Sequence, residues 1–200
     1  MQTYKTLIIL DWDDTLFPTT WSLQNNIDYS NNTGKTKKYF TILDNTLYQL
    51  LSNLLRYGQI IIITNATTGW IHTSCEFIPK TCNLIKEYIN IESARDIYQN
   101  VYPDEMSQWK LLLFNDIAHR HNKLYKYQNI ISIGDAKYEF DALTNLYNKD
   151  SYFGNRLLKS VRFVTTPSFD TLIDELIILN KCIDNIYKNK QHMDMMFNKL

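Results

Sequence analysis

Short runs rich in apolar residues punctuate this chain, each bounded by polar or turn-forming residues, and between them apolar positions recur at helical spacing. Residues 6–10, TLIIL, form the first run and predict a strand buried on both faces. Residues 59–64, QIIIIT, and 129–134, NIISIG, predict two more of the same kind. Weaker runs at 91–94 and 161–164 predict a third and a fifth strand in chain order. Leu43, Leu47, Leu50, Leu51, Leu54 and Leu55 are spaced for one face of a helix over 42–57, which Gly58 closes. Further helices are expected over 80–88, after a break at Pro79, and over 169–186 as one helix or a pair. Strands alternating with helices predict an α/β fold, a parallel sheet covered on both faces.

Two segments break the alternation. Residues 22–38 are polar, with paired asparagines and several lysines, and read as a loop over or beside the strand ends. Its Gly34-Lys35-Thr36 is no phosphate-binding P-loop, because Tyr29 stands where that motif needs glycine and no strand precedes it. Residues 188–200 read as a tail outside a single domain of residues 1–187, with Met193, Met195, Met196 and Phe197 docking on the core.

Composition narrows the picture mainly by exclusion. Two hundred residues suit one domain, and 21 basic against 21 acidic side chains leave no global charge for nucleic acid or membrane. No apolar stretch approaches the roughly 20 residues that span a bilayer, and the N-terminus enters a strand without a signal-peptide pattern. A cytoplasmic protein is therefore expected. Cys75, Cys82 and Cys182 are unevenly spaced without a CxxC pair, which argues against a disulfide framework or zinc site and for free thiols.

Chemistry enters at the strand ends, where ligands collect in open parallel sheets. Asp11 and Asp13 follow the first strand in the spacing DxDxT with Thr15, and residues two apart in extended chain share a face. Clustered carboxylates repel unless a cation joins them, so a turn or cap accounts for one of these acids and not for the set. Thr64 and Asn65 follow the second strand with a hydroxyl and backbone N–H groups suited to phosphate. Lys110 stands near a helix start, where the dipole disfavours a cation unless an anion is close. Asp135 follows Gly134 at the fourth strand end, and Glu139 lies one helical turn further on, while Asp141 faces elsewhere.

Taken in order, these motifs resemble those of the haloacid dehalogenase (HAD) superfamily over residues of about 5 to 165. Asp11, Asp13 and Thr15 match its first motif, Thr64 its second, Lys110 its third, and Asp135 with Glu139 its fourth. Glu139 stands where the family often has aspartate. The wording DWDDTLFPT, TNATTGW and SIGDAKYEFDAL further resembles a branch found in protists and large DNA viruses.

The resemblance implies a three-layer Rossmann-like fold with strand order 5-4-1-2-3 and a phosphatase working through an aspartyl phosphate. Asp11 would be the nucleophile and Asp13 the general acid and base. Magnesium would be held by the carboxylates of Asp11 and Asp135 and the backbone carbonyl of Asp13. Thr64, Asn65 and Lys110 would bind the phosphoryl group, with Thr15 and Glu139 in support. A second aspartate in the first motif favours phosphatase over dehalogenase chemistry. The alternative is a HAD-like binding or scaffold protein without turnover. The gaps between motifs leave room for little or no cap domain, so an open site, covered by the 22–38 loop and acting on a phosphoprotein or nucleic-acid end, is expected ahead of a small metabolite.

Overall fold

The computed structural model describes residues 6–29, 34–125, 127–149 and 156–198. Its centre is strand β1 (Thr6–Leu10), which pairs in parallel with β2 (Gln59–Thr64) on one side and β4 (Asn129–Gly134) on the other. β3 (Asn90–Ser93) lies outside β2, and β5 (Leu157–Arg162) outside β4. The expected order 5-4-1-2-3 is therefore present, extended by a sixth parallel strand, β6 (Met193–Met196), beside β5.

Alternate residues of the central strands feed two separate cores. Ile8, Leu10, Ile60, Ile62, Ile131 and Ile133 face one layer, while Leu7, Ile9, Ile61, Ile63 and Ile130 face the other. This two-sided burial explains why the strands read as unbroken apolar runs. The first layer contains α2 (Gly34–Leu54), α3 (Thr68–Cys75), α4 (Pro79–Tyr88) and α8 (Phe169–Lys188). The second contains α5 (Ala94–Tyr98), α6 (Met106–Tyr125) and α7 (Lys137–Lys149). A short α1 (Thr19–Gln24) lies over the end of the first layer, where Trp21 packs on Tyr39 and Phe169.

The polar segment 22–38 is a correction to the loop expectation. Residues 22–24 belong to α1 and Gly34 opens α2, so the GKT triplet is the first turn of a 21-residue helix; residues 30–33 lie outside the described part. Lys37 and Lys38 are exposed, and an exposed first turn carries no apolar periodicity to mark it. The tail is corrected in the same way. Residues 193–196 close the sheet edge, with Met193, Met195 and Phe197 packed on the core, whereas Met196 is 54% exposed. β5 begins four residues earlier than expected, and 169–188 is one helix.

The cysteines are the clearest departure. Cys75 at the end of α3 and Cys82 in the first half of α4 form a disulfide, with their Cα atoms 5.6 Å apart; Cys182 is free and half-buried. The tight corner at residues 76–78 brings the two thiols together, and three unevenly spaced cysteines give no hint of that corner. Among the described residues no helix is long and apolar enough to cross a membrane.

Candidate active site

The carboxyl ends of β1, β2 and β4 converge on one cluster. Asp11 follows β1 directly, with its backbone N–H bonded to the carbonyl of Ile133 at 3.0 Å, so its position is fixed by the sheet itself. The chain then turns tightly. Leu16 and Phe17 N–H both donate to the Trp12 carbonyl at 2.9 Å, and Asp14 sits at φ 53°, a left-handed conformation that aspartate tolerates better than most residues. Asp14 accepts from the backbone N–H of Thr20 at 2.8 Å and from its hydroxyl, so the turn-forming role applies to Asp14. Trp12 points away from the cluster, buried, and donates through Nε1 to Ser74 Oγ at 3.0 Å.

Lys110, in the second turn of α6, is buried to 2% exposure between two carboxylates. Its Nζ lies 2.7 Å from Asp11 Oδ1 and also bonds Glu139 Oε1. Burial alone would pull the lysine down, but Asp11 and Glu139 outweigh it and hold the ammonium above its ordinary value. Asp11 is raised, first by burial and then by Glu139 and Asp135, with Lys110 opposing. Glu139 also accepts the N–H of Ala136 at 3.1 Å. Gly134 makes this possible, because a Cβ there would stand 2.4 Å from Glu139 Cγ and 2.7 Å from Oε2. Asp141 is exposed and pairs with Lys137 at 3.5 Å, as expected of a surface residue.

Asp13 projects into a different environment. Its Oδ1 accepts from Trp70 Nε1 at 2.8 Å and from the Thr19 hydroxyl, which orients the carboxyl group through one oxygen. The carboxyl lines a cleft of about 280 Å3 with Leu23, Asn65, Thr67, Trp70 and Arg95. Sequence reasoning assigns no role to Trp70 or Thr19, although they close the DWDDTLFPT and TNATTGW stretches, because Trp70 is 57 residues from Asp13 and only the fold brings the two together. The only available signal is their closeness to the DxDxT and Thr64 motifs.

Thr64 is fully buried, and its hydroxyl oxygen accepts the N–H of Ala66 at 2.9 Å. The helix cap is Thr67, which accepts from Trp70 N at 3.2 Å, so capping does not account for Thr64. The Asn65 side chain is fastened by Nδ2 donating to the Met106 carbonyl at 3.1 Å, while the role expected at this strand end rests on backbone N–H groups. The loop is fastened further by Ser93 Oγ on the Ala66 carbonyl at 2.6 Å and by Thr68 on Asp96 at 2.6 and 2.9 Å.

Asp135 is the least compensated acid of the group. Thr15 Oγ1 reaches its Oδ1 at 3.5 Å, too long to meet a carboxylate's charge. Burial, then Glu139 and Asp14, push Asp135 up to about 7, with Lys110 too weak an offset. Among the described residues no three Asp, Glu, His or Cys side chains converge to hold a metal unaided. Magnesium does not require that, since it is commonly held by one or two carboxylates with phosphate and water completing the shell. The hard oxygens of Asp11 and an under-neutralised Asp135 fit such an ion.

No protein-family model matches the sequence, and a search of curated proteins returns no match. Among solved structures the chain is similar to one described as a HAD family hydrolase from Deinococcus radiodurans R1 with bound phosphate and sodium. The two share 10% identity at a TM-score of 0.40, over 98% of this chain and 92% of that one. A likeness of that degree carries no weight for the chemistry, which stands on the geometry above.

Proposed function

We propose that the chain is a HAD-type, magnesium-dependent phosphomonoesterase that works through an aspartyl phosphate on Asp11. One observation supports this above all: a buried Asp11 is held by Lys110 at 2.7 Å at the end of the central strand, while Asp13, two residues on, opens into a cleft. A buried lysine beside the nucleophile orients it and offsets the charge of an arriving phosphoryl group. Asp11 attacks phosphorus, and the bond to the leaving oxygen breaks as Asp13 supplies its proton. Asp13 then takes a proton from water, whose oxygen attacks phosphorus and frees Asp11. Thr64 and the backbone beside it hold phosphoryl oxygens, and Glu139 keeps Lys110 in place. Bound magnesium, on Asp11, Asp135 and the Asp13 carbonyl, would neutralise phosphoryl charge.

The substrate we favour is a phosphorylated macromolecule, a phosphoprotein or a nucleic-acid end. The Asp13 cleft, of about 280 Å3, opens to solvent, so a phosphoryl group carried on a larger molecule can enter it. Its cover is Leu23 of α1, which is 66% exposed and leaves the acid accessible. We place the protein with the branch known from protists and large DNA viruses. We propose a cytoplasmic setting, where reducing conditions would hold Cys75 and Cys82 as thiols.

Phosphate release from an aryl phosphate tests the activity. Turnover should appear with magnesium and vanish on chelation, and no release by folded protein at any magnesium concentration would favour a binding or scaffold role. Profiling against phosphopeptides, phosphorylated oligonucleotides and metabolites tests the substrate class, and a selective preference for one small sugar phosphate would refute the open-site reading.

A further inference from the structure

A cavity of about 680 Å3 lies apart from the cleft at Asp13 and shares no lining residue with it. It lies between α1 and the first half of α8, closed on one side by the residues after β6. Trp21, Ile178 and Phe197 give it an apolar wall, and Asp170, Asp174 and Glu175 give it three carboxylates. Among the described residues no lysine or arginine lines it, and none of the three acids is ion-paired. Its volume sits inside the roughly 300–1,000 Å3 range of small-molecule sites.

Glu175 is the telling residue. It is 3% exposed, its Oε1 accepts the Val164 N–H at 2.7 Å, and its Oε2 is buried with no hydrogen-bond partner. A buried carboxylate oxygen left unmet is costly and is uncommon in a native fold without a reason. The position at the N-terminal end of α8 would by itself favour an anion, through about half a positive charge from the helix dipole. That end is already capped, with Ser168 Oγ accepting the Thr171 N–H at 3.1 Å, and three carboxylates around one cavity repel an anion.

We infer that this cavity binds an organic cation, a protonated amine on an apolar body, with the ammonium on Glu175 and the body against Trp21, Ile178 and Phe197. Trp21 adds an aromatic face of the kind that attracts cations. The same chemistry is offered by a free alkylamine and by a lysine side chain of another protein.

Calorimetric titration of the full chain with hexylamine, hexanol, hexanoate and Nα-acetyl-lysine methylamide separates the possibilities. Hexylamine should bind at least about tenfold more tightly than hexanol, the difference expected of one buried charge-assisted hydrogen bond, and hexanoate should not bind. Comparable binding of the lysine amide points to a protein-borne lysine, and its failure beside hexylamine points to a free amine. Glu175→Gln keeps the side-chain shape and an acceptor for Val164, and should weaken hexylamine about tenfold. Asp174→Asn, on the exposed side of the cluster, should give a smaller loss and serves if Glu175→Gln fails to fold. Equal affinity for hexylamine and hexanol, wild-type affinity in folded Glu175→Gln, or no saturable binding of hexylamine would each overturn the inference.

Discussion

The molecule buries a lysine and a glutamate in two places and treats them in opposite ways. At the carboxyl ends of β1 and β4, Lys110 and Glu139 meet, and Asp11 and Asp135 crowd the same few ångströms of interior. Along β5 and α8, Lys159 and Glu175 are both buried but apart, the lysine met in full by backbone carbonyls and the glutamate by one backbone N–H on one of its two oxygens. Lys159 Nζ donates to the carbonyls of Ile186, Tyr187 and Asn189 at 2.7 to 3.0 Å, closing the C-terminal end of α8. Glu175 holds the N–H of Val164. A cation on backbone carbonyls is a fastening for a helix end. The same cation between carboxylates is an electrostatic device, since low local dielectric magnifies every charge brought to it.

Substitutions that sharpen this contrast differ widely in expected size. Asp13→Asn should lower turnover by about 10²–10⁴-fold, the usual worth of general acid–base assistance, while magnesium affinity persists because only a backbone carbonyl is at stake. Calorimetry showing lost magnesium binding would refute that division of labour. Lys110→Met should cost about 10²–10³-fold in turnover, comparable to removing one preorganised donor. Its counterpart Lys159→Met should leave turnover within about threefold and instead lower stability by about 1–3 kcal/mol, as the carbonyls at the end of α8 lose their donor. Equal turnover losses in the two variants would erase the distinction.

A further effect concerns pH. Burial pushes Glu175 up to about 7 from its ordinary 4.5, so between those values the folded chain binds more protons than the unfolded one. Wild type should therefore lose stability relative to Glu175→Gln as pH rises from 4.5 through 7, and be flat against it below that window. Denaturant midpoints at pH 5 and 8 measure it, and a wild type that gains on Glu175→Gln between those pH values would have the wrong sign.

The same contrast explains what the sequence disclosed. Lys110 is legible because it belongs to an ordered set of motifs at strand ends, and β1, β2 and β4 are legible because two-sided burial writes them as apolar runs. Lys159 is not legible. It interrupts LLKSVR in mid-strand, so β5 was expected only after it, and its carbonyl partners lie 27 to 30 residues away. Trp70 on Asp13 and the Cys75–Cys82 bridge are hidden for the same reason, being products of chain corners that no periodicity encodes. The first turns of α2 are hidden differently, because a solvated helix end and a polar loop have the same composition.

The central claim is a covalent phosphoryl group on Asp11, and acid-quenched mass spectrometry of the turning-over protein tests it most directly. The account predicts a hydroxylamine-sensitive phosphoryl adduct on the peptide containing Asp11, enriched in Asp13→Asn, where the water that releases it is not activated, and missing with loss of turnover in Asp11→Asn. Wild-type turnover in Asp11→Asn, or rapid turnover with no adduct in either wild type or Asp13→Asn, would contradict it.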